Sequence, residues 1–150
     1  MAGIGAILAT HFTLWISSLK VPQESIASSV VLVTSHPLMV GLLSHFVLRE
    51  RLNRWMAIGI LVGFSGVVVI ALADYGFGGS LYADVLAFVG GVMAGLYFLA
   101  GRRLRQRVAL LDYALVVYAC ATAVLFLYAI VLRESLAPVG NGNTELLLFL

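Results

Sequence analysis

The chain has 150 residues, of which 62% are hydrophobic and only 11% charged, and its mean hydropathy is +1.07. A soluble domain is nearer about half apolar and a quarter charged, so an ordinary soluble enzyme or binding module is excluded. The net charge of +2 arises from arginines gathered in two short stretches between apolar runs, which is not a nucleic-acid signature.

The charges leave five long uncharged runs, residues 1–19, 25–48, 55–73, 85–101 and 113–132. Each is close to the roughly 17–25 residues that a membrane-spanning helix needs. The expected fold is therefore an all-α polytopic membrane protein with about five complete transmembrane helices. The single cysteine, Cys120, excludes an intrachain disulfide. Met1–Leu19 has no basic segment before it and is interrupted by Thr10, His11 and Thr13, so it reads as a mature span rather than a secretory signal.

In chain order, the first span (about Ala2–Leu19) places Gly3, Ala6, Thr10, Thr13 and Ser17 on one face, a small-residue seam expected to receive another helix. His11, Trp15 and Ser18 form the adjacent face. A turn containing Pro22 follows, and Ser25 is placed to cap the second span. That span, Ser25–Leu48, carries Ser25, Ser28, Ser29, Ser35 and His36 as a polar stripe, with His45 roughly opposite. Pro37 removes one backbone donor and frees the carbonyl of Val33 at membrane depth, a defect tolerated only where protein or water meets it.

After Arg49–Arg54 comes the third span, Trp55–Ala73, without an ionisable residue and with Gly59, Gly63 and Gly66 as an expected packing seam. Asp74–Ser80 is a glycine-rich turn. The fourth span, Val85–Gly101, sets Ala87, Gly90, Ala94 and Gly101 on one face with Tyr97 beside them, and is followed by the basic stretch Arg102–Arg107. The fifth, about Leu110–Leu132, carries Tyr113, Tyr118, Cys120 and Tyr128. A polar loop, Arg133–Thr144, leads to six apolar residues that read as the start of a sixth span, so the chain is expected to be incomplete.

Seven Lys and Arg residues lie in the second–third and fourth–fifth loops, against two in the remaining loops. By the positive-inside rule the Arg49–Arg54 and Arg102–Arg107 loops are cytoplasmic, and the protein is expected in the plasma membrane as a multi-pass protein.

His36 is the sharpest functional candidate, because an ionisable group at membrane depth is a functional hypothesis by default. A neutral histidine satisfied by a neighbouring helix is the structural alternative. Asp84 and Asp112 are candidate proton carriers, but both sit at span ends, where hydration or a helix N-terminus accounts for them. Tyr97 and Tyr113 are candidates for stacking on a substrate, and His45 is expected at the cytoplasmic boundary. The three histidines lie on opposed faces with no metal-ligand spacing, so no metal is expected. Nor is any other cofactor, since neither a Walker A motif nor a dinucleotide fingerprint is present.

The run SHPLMVGLLSHFVLRERLNR, followed by a glycine-bearing span ending GVVVIALAD, resembles the EamA family of the drug/metabolite transporter superfamily. LYADVLAFVGGVMAGLYFLAGRRLRQRV resembles the opening helix and basic loop of that family's second repeat. The resemblance implies part of a ten-helix fold of two inverted five-helix repeats. Residues 1–73 would be the last three helices of the first repeat, 74–80 an extracytoplasmic linker, and 81–150 the first part of the second repeat. It implies a cavity lined by the first, second and fourth spans of this chain, with His36, Pro37, Ser29, His11, Trp15 and Tyr97 as its candidate residues, and the third span at the periphery. The sequence departs from the family pattern at Arg49, where a glycine usually precedes the Glu, and at Ala94, where an aromatic is common.

The function implied is secondary transport, the export of small metabolites or amphiphilic compounds by alternating access. The expected partners are a small-molecule substrate, the lipid bilayer, and a second copy or the missing helices of the same chain. Nucleic acid is not among them. The rival readings are a non-transporting membrane scaffold or inactive fragment, and an intramembrane enzyme, for which no nucleophile–base pair is present.

Overall fold

The computed structural model describes residues 1–22 and 25–131. These form six helices, α1 Ala2–Leu19, α2 Ile26–Thr34, α3 His36–Leu48, α4 Arg54–Gly76, α5 Leu81–Arg102 and α6 Leu110–Val131, and no strand among the described residues. Helices α2 and α3 are the halves of one bent span, Ile26–Leu48, so five helical rods are long and apolar enough to cross a membrane. The protein is all-α and polytopic. The expected sixth span and the loop before it lie outside the described residues.

Helix starts are written in short polar side chains. Ser25 accepts a hydrogen bond from the Ser28 amide at 3.3 Å, Asn53 from the Trp55 amide at 3.4 Å, and Ser80 from the Ala83 amide at 3.4 Å. Each satisfies one of the amides that a helix N-terminus leaves without a partner. At the end of α3, Arg49 adopts the left-handed conformation with φ 54°. Glycine suits that conformation because it has no Cβ to clash, which accounts physically for a glycine being usual at this place in the family pattern.

Pro37 bends the second span. It sits in the first turn of α3, where its missing N–H leaves no gap in the new helix. The break falls at Ser35, whose amide and hydroxyl both donate to the Leu32 carbonyl, the hydroxyl at 2.6 Å. The Val33 carbonyl that Pro37 cannot engage faces α5 at Gly91, where a Cβ would stand only 3.0 Å from its oxygen. The defect of α2 thus lies against a residue that has no side chain.

Helix α5 is the centre of the bundle. It packs on α1, α2 and α3, while α1 also packs on α6 and α4 leans on the outside of α2 and α3. Close approach to α5 runs through glycines. A Cβ at Gly90 would touch the backbone of His11 and Trp15 on α1, and one at Gly95 would meet the Cβ of Met39 on α3 at 2.9 Å. Leu8, Ala9, Tyr97, Tyr113, Val117 and Ala121 form one buried cluster between α1, α5 and α6, and Leu32, Val67 and Ala87 a second between α2, α4 and α5.

Three expectations are corrected. The packed face of α1 is not the Gly3–Ser17 seam. Gly3 is exposed with nothing nearby, whereas Gly5 abuts the Val117 carbonyl and Cys120 of α6, and Leu8, Ala9 and Ser18 are buried. Thr10 and Thr13 instead turn their hydroxyls back onto the Ala6 and Ala9 carbonyls. The glycine seam of α4 is open at Gly59 and Gly66, and only Gly63 meets a neighbour, Leu38. Finally, α5 begins at Leu81, not Val85, with Asp84 in its first turn as expected.

Candidate functional site

The bend at Ser35 turns His36 toward α1 and α5. There a cavity of about 220 Å³ opens between α1, the α2–α3 bend, α5 and α6. His11 and Trp15 reach it from α1, His36 from the start of α3, and Tyr97 from α5. Four of the six residues singled out in the sequence are therefore brought to one cavity from three separate spans. Phe12, Phe98 and Tyr118 complete a lining dominated by rings.

The rings contact each other in sequence. His11 stacks toward Trp15 with centroids 6.3 Å apart, His36 stacks on Phe98 at 5.2 Å, and Phe98 meets Tyr97 edge to face at 5.1 Å. His11 Nδ1 lies 2.8 Å from the Gly90 carbonyl oxygen. A carbonyl only accepts, so Nδ1 carries the proton and Nε2 is left as an acceptor. The Trp15 indole nitrogen is buried and has no hydrogen-bond partner among the described residues. The cavity thus offers several aromatic faces and a few polar groups, among them His11 Nε2, the His36 ring and the buried Trp15 donor.

Pro37 lines a second cavity of about 600 Å³ nearer the arginine loops, together with His36, Phe98, Glu50, Arg102 and Arg105. Phe98 and His36 border both cavities. The Arg105 guanidinium stands 5.7 Å from the Phe98 centroid, and Arg102 pairs with Glu50 at 2.6 Å, joining the end of α5 to the loop after α3. The stacked pair Phe98–His36 is therefore a partition, with a ring-lined chamber on one side and a charged vestibule on the other.

The remaining candidates lie elsewhere. Ser29 is buried between α1 and α2, its hydroxyl 2.7 Å from that of Ser18, which itself bonds the Trp15 carbonyl. It fastens helices and does not line the cavity. His45 is exposed, its Nδ1 2.7 Å from the Glu50 carbonyl. Tyr113 is buried against Gly101 in the α1–α5–α6 cluster that also holds Tyr97, and it does not line the cavity. Asp112 is exposed, but Asp84, expected to be hydrated or held at a helix N-terminus, lies in the first turn of α5, is only 2% exposed and accepts a hydrogen bond from Ser28 at 2.8 Å.

Sequence reasoning missed Phe98, which carried no signal beyond being apolar. It also missed Gly91 and Gly95, which did carry one: glycines four apart in an apolar segment let a neighbouring backbone come close.

The model of the EamA-like transporter family matches residues 1–72. A protein of Acidianus ambivalens described as an uncharacterized transporter in sor 3'region is 35% identical over 105 residues, which is 70% of this chain and 40% of that protein. An uncharacterized transporter of Archaeoglobus fulgidus is 33% identical over 91 residues, 59% of this chain and 32% of its own length. The chain thus spans between about a third and two-fifths of the curated relatives it matches. No solved structure matches it significantly.

Proposed function

This chain belongs to the EamA-like transporter family, and from that membership and the ring-lined cavity we propose that it forms the substrate-binding part of a secondary transporter. The intact protein moves small amphiphilic metabolites out of the cytoplasm by alternating access. The observation that carries this reading is the convergence of His11, Trp15, His36 and Tyr97 on one cavity between helices that are distant in sequence. Small-molecule sites are concave and mostly apolar, with a few polar groups that fix orientation. The rings supply the apolar walls, and the His11 acceptor and Trp15 donor supply the polar groups.

The same reading assigns residues 1–73 to the end of a first repeat, 74–80 to a linker outside the cytoplasm, and 81–131 to the start of an inverted second repeat. Two observations support it. The family match ends at residue 72, and α5, the first helix of the second unit, packs into α1, α2 and α3 of the first. With the Arg49–Arg54 and Arg102–Arg107 loops in the cytoplasm, the vestibule bordered by Glu50 and Arg102 is the cytoplasmic entrance, and the Phe98–His36 pair lies between it and the site.

The test is transport by the intact protein in liposomes across a panel of aromatic and amphiphilic metabolites. His36→Ala is expected to abolish uptake while leaving elution in detergent and helix content unchanged. Uptake equal to that of the parent for every compound would overturn the site.

A further inference from the structure

At the end of the bundle away from the arginine loops, Asp84 is packed between α5 and α2. The residue is 2% exposed. One carboxyl oxygen, Oδ1, accepts the Ser28 hydroxyl at 2.8 Å, and the other, Oδ2, is buried with no hydrogen-bond partner among the described residues. We propose that the Asp84 carboxyl is a proton-exchange site, clasped by Ser28, at the α2–α5 contact.

The surroundings carry the argument. A buried carboxylate needs a cation or several donors, and a group without them sheds its charge instead. Among the described residues Asp84 has one donor, the Ser28 hydroxyl. From α4, Asp74 is within electrostatic reach, and its own Oδ2 is likewise buried without a partner. From α1, Ser18 bonds Ser29 and the Trp15 carbonyl, and Lys20, at the helix end, takes part in an interaction of its own. On α2, Ser25 accepts from the Ser28 amide, and on α5 itself Ser80 accepts from the Ala83 amide. The N-terminus of α5 attracts negative charge, but one of its free amides is already capped by Ser80. Asp112 of α6 lies at the far end of the bundle, beyond Tyr113 and Gly101.

A proton on Oδ2 removes the charge and leaves the Ser28 bond to Oδ1 intact. Its loss to water leaves an anion that the closed packing does not satisfy. The exchange makes and breaks only the O–H bond. If the protein is a transporter, the proton becomes its coupling ion. That step rests on the reading above, whereas the proton site does not.

Infrared difference spectroscopy on the intact protein in lipid vesicles, stepped between acidic and alkaline buffer in choline chloride, reads the site directly and needs no substrate. The expected result is a protonated-carboxyl stretch in acid that disappears in alkali, is missing in Asp84→Asn, and is shifted but present in Ser28→Ala. Asp84→Glu, which keeps a titratable group, is expected to retain the band at a displaced frequency. It decides the matter if Asp84→Asn does not fold. The same band in Asp84→Asn, no such band at any pH, or no band in Asp84→Glu overturns the proposal. So does proton release on adding sodium chloride at constant pH, which would make this a metal-cation site.

Discussion

Helices α4 and α5 are close to the same length, and both are apolar enough to span a membrane, yet half of α5's apolar window is buried against 6% of α4's. The more apolar of the two is the less buried. In water the opposite ordering holds, because apolar surface is driven into the core. In lipid that drive is absent, and helices associate through close packing of small residues and through polar contacts. Helix α4 turns Leu61, Val62, Val68, Val69 and Leu72 outward. Helix α5 presents Gly90, Gly91, Ala94, Gly95 and Asp84 to its neighbours. Average hydropathy therefore identifies both as spans, and the distribution of small and polar side chains decides which one is the hub.

The contrast is broken most directly by adding bulk. A side chain at Gly91 would press on the carbonyls of Leu32 and Val33, which are backbone and cannot move aside. Gly91→Val is expected to destabilise the bundle by about 3 kcal/mol, the upper range for overpacking, and to abolish transport. Gly66→Val, with open space around it, is expected to change stability by no more than about 0.5 kcal/mol. Unfolding of both variants in mixed micelles, followed by far-ultraviolet circular dichroism, compares them. Equal losses would mean that α4 is as tightly packed as α5.

Polar contacts sharpen the same comparison. His11→Phe removes the hydrogen bond to Gly90 that ties α1 to α5, and is expected to cost about 1 kcal/mol. Ser65 of α4 bonds only its own helix, at the Leu61 carbonyl, so Ser65→Ala is expected to be silent in the same unfolding assay.

Arg49, which ends α3, tests the turn that leads into α4. Relieving its left-handed backbone by Arg49→Gly is expected to raise stability by up to about 1 kcal/mol, seen as a higher midpoint of thermal aggregation. A lower midpoint would show that the arginine side chain contributes more than its backbone costs.

The spans were legible in the sequence because lipid imposes a length and forbids charge. The runs 1–19 and 25–48 match α1 and the bent α2–α3 rod nearly end to end. Pro37 announced the bend, and His11, Trp15, His36 and Tyr97, candidates on the family resemblance, come together at one cavity. What failed was the choice of face. The five small residues of Gly3–Ser17 looked like a better seam than Gly5 and Ala9, but a small residue only permits close approach, and the neighbour's position decides whether it is used. The start of α5 was placed late for a related reason. The uncharged run begins at Val85, while Ser80 caps the helix one turn earlier, and the carboxyl of Asp84 in that first turn enters the packing.

A small effect on stability is expected at the contact that links the loop leading into α4 with the end of α5. Arg102 and Glu50 are 50% and 44% exposed, and an ion pair this open to solvent contributes at most about 1 kcal/mol. Glu50→Gln is therefore expected to leave unfolding nearly unchanged, with the remaining difference erased by high salt. On the proposed transport reading, transport is expected to respond more strongly, because the pair joins the loop after α3 to the end of α5 beside the proposed entrance. A variant that unfolds like the parent but transports at a different rate, most clearly at low ionic strength, places the pair on the entry path. Identical rates at all salt concentrations would confine it to the surface.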